Sequence, residues 1–376
     1  MGQRLGFEIG DFIKVDFMVL QPADSVHVST RPFVSRLVWW AALVTSAWWL
    51  IAGPVGFRAF AQEASIGQRA QDVVYFGPEN RTAGESSWGT PVPTRYQGSI
   101  LKFDDSELVI ETKEGERRVP SKRVERVEFE WANNECRQAM QALTERDYRS
   151  AYQSLTAQLK GSGKEGVPPW QNHFLISGAI RATEAMGEVR VAGKLLEIQA
   201  RNRPPQLLLA DMPLCWTARS VPSGVREEVP RWLASEADSV RLLGASWGLF
   251  NAEDSLAKRT LTQLKTSNNQ AVALLAAAQS WRLVPPPETL QALPNWFRFR
   301  DAMLPDLQLG PTEFIADRLQ RINEPKLALG QLHRIASEHS DRYHRAEAAL
   351  KQAASIFLRA GLTEEADKVD RWLEDL

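Results

Sequence analysis

Two cysteines and five histidines are the side chains best suited to nucleophilic or metal chemistry in this sequence, and their spacing argues against both. The histidines are His27, His173, His333, His339 and His344. No His-x-x-x-His or Cys-x-x-Cys pair occurs, so no short segment offers two ligands to one zinc ion. On one helix His333 and His344 would stand about 16 Å apart, too far to share a metal. Cys136 and Cys215 have no histidine close in sequence, and there is no Gly-x-Ser-x-Gly nucleophile elbow. Gly163-Lys164 invites a test as a phosphate loop. It fails, because Glu165 stands where Ser or Thr is required and the loop leaves a helix instead of a strand. Glu364, Glu365, Asp367 and Asp370 read as a solvated helix face. No catalytic, cofactor or metal residue is assigned, and the expectation is a protein that is not an enzyme.

The elements that would position any site begin after a segment that reads as an address. Arg31 and Arg36 precede an apolar run that begins at Leu37 and ends at Phe57, followed by Ala59-Phe60-Ala61. Positive charge, apolar stretch and small residues are the order of a secretory signal. Pro54 and Gly56 would break the helix ahead of the small residues, which favours cleavage after Ala61 with Ala59 and Ala61 read by the peptidase. A retained membrane anchor is the alternative, since the run matches a bilayer span of roughly 20 residues. Residues 1–30 are long and weakly basic for a leader, so either Met1 or Met18 is the start. The expected location is exported, periplasmic or extracellular.

The whole chain has 376 residues, 44% hydrophobic and 24% charged, enough for two or three folded domains. Residues 62–376 keep 40 Lys/Arg and 42 Asp/Glu, a net charge of −2. That balance opposes a general nucleic-acid binder. The two cysteines lie in different predicted helical units and are expected as isolated buried thiols.

Residues 72–130 carry the strand signals. Short apolar runs at 72–76, 95–101, 107–112, 117–120 and 124–129 are separated by turns at Asp104-Asp105-Ser106 and Lys113-Glu114-Gly115-Glu116. Gly98, Ile100, Leu108, Val109, Ile110, Val119, Pro120, Val124 and Val127 together resemble small SH3-like or Sm-like barrels. The Sm-like resemblance implies RNA binding. The export signal opposes it, and the basic residues Arg117, Arg118, Lys122, Arg123 and Arg126 are interleaved with Glu114, Glu116, Glu125 and Glu128.

From residue 133 the period becomes helical, giving units over 133–203, 231–284 and 295–376. Ala142-Leu143, Asp147-Tyr148, Ala151 and Leu155, then Ala328 and Leu332, then Ala346, Ala349 and Ala353, then Gly361 and Glu365-Ala366 resemble tetratricopeptide hairpins, in which alanine sits at the closest helix contact. The spacing in 240–283 is equally similar to HEAT repeats. The expected fold is mainly α, an α-solenoid of hairpins behind a small β-barrel-like domain and an N-terminal signal or transmembrane helix. Pro204-Pro205 and Pro285-Pro286-Pro287 mark breaks.

Solenoids usually hold another protein on a long surface, so the leading expectation is a non-catalytic scaffold or adaptor with a protein partner. A carbohydrate- or envelope-binding module is the alternative, drawing on the thirteen tryptophans. Trp296 and Phe297, just after a proline-rich break, are the candidate partner contacts. A divergent hydrolase comes last, and a histidine and a carboxylate meeting in one pocket would favour it. Replacing Ala59 and Ala61 by leucine should abolish signal processing in cells. An unchanged mature mass would reject cleavage at that site.

Overall fold

The computed structural model describes residues 71–77, 93–161, 167–250 and 254–376. Strands β1 (Asp72–Phe76), β2 (Thr94–Phe103), β3 (Glu107–Thr112), β4 (Gly115–Pro120) and β5 (Val124–Glu128) form one antiparallel sheet in the order β4-β3-β2-β1-β5. The chain therefore meanders and returns its last strand beside its first. β2 serves two neighbours, pairing with β1 through residues 94–98 and with β3 through residues 99–103. Gly98 stands at this switch, where a Cβ would collide with the Glu111 carbonyl oxygen. A register shift between Tyr75 and Phe76 sets Val127 opposite Val74 and Val124 opposite Phe76. Two valines three positions apart can thus share the core face, which simple alternation would forbid.

Helices follow to the end of the chain: α1 (Asn134–Thr144), α2 (Tyr148–Gly161), α3 (Pro169–Ala185), α4 (Val189–Arg201), α5 (Ser223–Arg226), α6 (Val229–Leu233), α7 (Asp238–Gly248), α8 (Asp254–Leu264), α9 (Gln270–Gln279), α10 (Thr289–Asp301), α11 (Leu309–Arg321), α12 (Pro325–Glu338), α13 (Tyr343–Arg359) and α14 (Thr363–Asp375). The protein is mainly α with a small N-terminal antiparallel sheet. Among the described residues no helix is long and apolar enough to cross a membrane. The run from Leu37 to Phe57 lies outside them, as do Ala59 and Ala61.

Four hairpins, α1/α2, α3/α4, α11/α12 and α13/α14, close with the same turn. Arg146, Gly187, Asn323 and Gly361 adopt left-handed φ of 67°, 77°, 60° and 74°. In each, the next N–H donates to the carbonyl five residues back: Asp147 to Ala142, Glu188 to Thr183, Glu324 to Leu319 and Leu362 to Phe357, at 2.8–3.0 Å. This pattern satisfies helix C-terminal carbonyls and reverses the chain within a few residues. Ala151, Ala328, Ala346 and Ala366 are buried at the helix contacts.

Sheet and helices belong to one compact unit that includes Ala70–Leu376. Phe129 packs edge-on against Trp131, Trp170 and Phe174 with centroids 4.8–5.0 Å apart. The side chain of Gln171 donates to the Glu130 carbonyl and accepts from the Ala132 N–H, fixing α3 to the strand exit. The β2–β3 turn is tied to the end of α4, where Asp105 accepts from the Arg203 side chain at 3.0 Å.

Two regions differ from expectation. Residues 285–301 are not only a proline break, because α10 forms there with Pro294 inside it. Residues 204–216, where Pro204-Pro205 read as a break between helical units, are buried except for the partly exposed Ala210.

Gly187→Ala and Gly361→Ala should each cost about 1 kcal/mol, since alanine resists positive φ. Gly98→Ala should cost more, about 2–3 kcal/mol, because the clash is with backbone. Urea unfolding of the three variants checks the order.

Candidate functional site

The buried segment 204–216 organises the interior. Three of its residues are prolines, which removes three backbone donors; Leu208, Met212 and Leu214 donate to carbonyls within the segment, and several other polar groups find partners on surrounding elements. The Gln206 N–H donates to the buried Ser121 hydroxyl at 3.1 Å, and its side chain donates to the Asp105 carbonyl at 3.0 Å. The Trp247 indole N–H donates to the Pro213 carbonyl at 2.9 Å. The Cys215 N–H donates to Ser246 Oγ at 2.8 Å, and its carbonyl accepts from the Gln279 amide at 3.1 Å. Trp216 lies on Gly310 at the start of α11, where any Cβ would run into the indole. The segment is held as a peptide ligand would be, by side chains of α7 and α9 and by the backbone of α11.

This strap delivers Asp211 to a cluster of charges. Asp211 accepts from the Ser177 hydroxyl of α3 and pairs with Arg342 at 3.0 Å. Arg342 also reaches Asp341 at 3.4 Å and Asp306 at 3.8 Å. Arg181 of α3 donates to the Asp341 carbonyl at 2.6 Å. Arg345, one turn further along α13, grips Glu313 of α11 through two hydrogen bonds. Burial pulls the Arg345 pKa down, but the carboxylates of Glu313 and Glu184 push it further up. Burial lifts the Asp306 carboxyl to about 6.

Beside the cluster is a chamber of about 260 Å³, lined among others by Glu184, Cys215, Trp216, Glu313, His344 and Arg345. It contains the pairing that would suit a hydrolase, with His344 Nε2 3.9 Å from the Glu184 carboxylate. That separation is too long for a hydrogen bond, and His344 Nε2 has no other partner. Burial, and then the charges of Arg345, Arg181 and Arg342, push the His344 pKa down to about 3. An imidazole so hard to protonate is a weak base. Burial lifts Glu184 to about 7, against the pull of Arg345. Burial also raises the Cys215 pKa, leaving a thiol rather than a nucleophilic thiolate. Arg345 is committed to Glu313. Burial thus favours the protonated form of Glu184 and the neutral form of His344. Among the described residues no group of three or more His, Cys, Asp and Glu is placed to hold a metal ion, and both cysteines are free and buried.

The predicted contact residues lie elsewhere. Trp296 is 5% exposed and stacks on Trp281 at 5.3 Å, with Phe314 at 5.5 Å. Phe297 is partly buried under the Arg300 guanidinium, 5.1 Å from its ring. Asp211, Arg342, Glu184 and Arg345 were not singled out from the sequence. One available signal was Asp211 itself, a charge set between Leu207-Leu208-Leu209-Ala210 and Met212. The remaining members come from segments up to 160 residues apart.

Comparison with known proteins finds no matching family model, no matching curated protein and no matching solved structure.

Buried histidines and Glu184 pull the pH dependence of stability in opposite directions. Burial lowers His173 and His339 to about 4 and His344 to about 3. Unfolded chains therefore bind protons first as the pH drops below 6.5, and stability falls. Glu184 behaves oppositely: the folded state keeps its proton between pH 4.5 and 7, and stability falls as the pH rises through that window. His344→Gln should flatten the acid arm, and Glu184→Gln the alkaline arm, each by roughly 1–3 kcal/mol. Urea midpoints at pH 4.5, 6.5 and 8 test both signs.

Proposed function

We propose that this chain is a non-catalytic exported scaffold or adaptor, an array of tetratricopeptide-like hairpins behind a small SH3-like barrel, that holds another protein on its helical surface. The barrel reading is supported by the strand order β4-β3-β2-β1-β5, with a 3₁₀ turn at Ser121–Arg123 before the returning strand. The hairpin reading is supported by the shared left-handed turns and the buried alanines. Export rests on the N-terminal signal pattern alone.

The observation that carries the adaptor reading is where apolar surface is left over. The apolar side chains of the strap 204–216 are buried inside the array, so a partner finds its apolar contacts elsewhere. Leu256, Leu290, Leu327, Leu358 and Leu362, all on helices or hairpin turns, remain 42–55% exposed. The sugar-binding alternative relies on accessible tryptophans. Trp170, Trp216, Trp232, Trp247, Trp281 and Trp296 are buried, and the partly exposed Trp131 and Trp372 pack on Phe129 and His333, which gives that alternative little support.

In-cell crosslinking with mass spectrometry on C-terminally tagged protein tests this reading. Crosslinks from Lys258, Lys265, Lys326 and Lys351 to one recurrent protein are expected. Leu327→Asp with Leu358→Asp should remove them while shifting the melting temperature by no more than about 2 °C, as surface substitutions do. Recovery of no recurrent partner would overturn the proposal.

A further inference from the structure

One face of α11 is charged in an unusual way. Phe314, Asp317, Arg318 and Arg321 follow the spacing i, i+3, i+4, i+7 and line a single pocket. Arg282, from the 3₁₀ turn after α9, enters the same pocket beside Phe250, with its guanidinium 4.8 Å from that ring. Trp216 comes from the end of the buried strap and Arg219 from the chain that leaves it. Four arginines thus line one pocket, and Asp317 is the one carboxylate among the lining residues.

That carboxylate is already engaged, pairing with Arg321 at 2.7 Å. Arg282 donates to the Ser246 carbonyl at 2.6 Å and to Gln279 Oε1 at 2.9 Å, both neutral acceptors. Arg318 donates to the Val284 carbonyl at 2.8 Å. Its residue is 7% exposed, and its Nε has no hydrogen-bond partner. Burial and the charge of Arg321 both push the Arg282 and Arg318 pKa values down. A buried guanidinium satisfied only by carbonyls keeps its charge uncompensated, which the fold tolerates poorly unless an anion completes the site. Four arginines against one aspartate leave three positive charges, more than a single carboxylate would neutralise.

We propose that this pocket binds a phosphate group, most favourably that of a small phosphate monoester whose apolar body lies against Trp216, Phe250 and Phe314. Guanidinium forks match the paired oxygens of phosphate. The cavity of about 350 Å³ accepts such a molecule. The site is independent of the proposed protein-binding surface, so either reading can fail alone.

Calorimetry on the full-length chain, titrated with inorganic phosphate, phenyl phosphate and phenylacetate, tests the proposal. Saturable binding of both phosphates is expected, with phenyl phosphate tighter and phenylacetate at least about tenfold weaker. Arg318→Gln should weaken phosphate binding about tenfold or more. Because Arg318 also anchors Val284, Arg219→Gln and Arg321→Gln at the more exposed positions provide a second test; each should weaken phosphate several-fold with unchanged melting temperature. Phosphatidic-acid vesicles separate the sources. Vesicle binding displaced by inorganic phosphate assigns the group to a lipid headgroup, and vesicle binding indifferent to phosphate, beside saturable phenyl phosphate binding, assigns it to a free ester. Equal affinity for phenylacetate, or phosphate affinity untouched by all three substitutions, would overturn the proposal.

Discussion

Arg342 is the residue on which the tertiary arrangement turns. It lies at the start of α13 with its side chain nearly buried, and it faces Asp211, Asp306 and Asp341 at once. Those carboxylates belong to the inner strap, the 3₁₀ turn before α11 and the junction after α12. Neighbouring Arg345 adds α11 through Glu313, while Arg181 brings in α3. A stack of helical hairpins needs only contacts between successive members. Here α3 and α13 meet across 160 residues, so the first hairpins and the last share one interior. Arg146 over the ring of Tyr343 and Tyr148 against His344 extend the same junction to the α1–α2 turn.

Charge in that position is costly as well as cohesive. Desolvating several ions offsets much of their mutual attraction, and an apolar replacement of the whole set could be equally stable. Removing one member is different, because it leaves a buried charge without its partner, at about 3–5 kcal/mol. The network links α3, α11, α13 and the strap through complementary charges, which ties their relative placement together. The protonation states agree with this view. Burial lifts Glu184 to about 7 and depresses His344 to about 3, so both groups are shifted toward their neutral forms. His344 and Glu184 stand at the edge of this cluster, 3.9 Å apart.

Much of the architecture is legible in the sequence because it is encoded locally. The strand at Asp72–Phe76 and the hairpin turning at Gly187 follow from apolar period and turn chemistry within a few residues. The left-handed turn at Arg146 is less obvious, since arginine tolerates that conformation poorly, yet Asp147 capping α2 marks the spot. What stays hidden depends on partners far away in sequence. Pro204-Pro205 reads as a boundary, and nothing local reveals that Ser121, Ser246 and Gln279 will satisfy the strap and allow its burial. Trp296 reads as exposed after three prolines, but Trp281 and Phe314 enclose it. The interior charges follow the same logic: Asp211 alone is suspicious, and its meaning appears only when Arg342 arrives.

The two cavities are physically linked through Trp216 and α11. Trp216 and Ala218 line both. Glu313 faces the chamber, whereas Phe314, Asp317 and Arg318 face the arginine pocket. Consecutive residues of one helix thus address the ion network on one side and the uncompensated guanidiniums on the other. A rigid helix cannot shift one row of side chains without the other, and Trp216 cannot lift from Gly310 without dragging the hydrogen-bonded backbone of Cys215. Arg318 and Arg321 of the pocket and the Glu313 that anchors Arg345 thus belong to one helix.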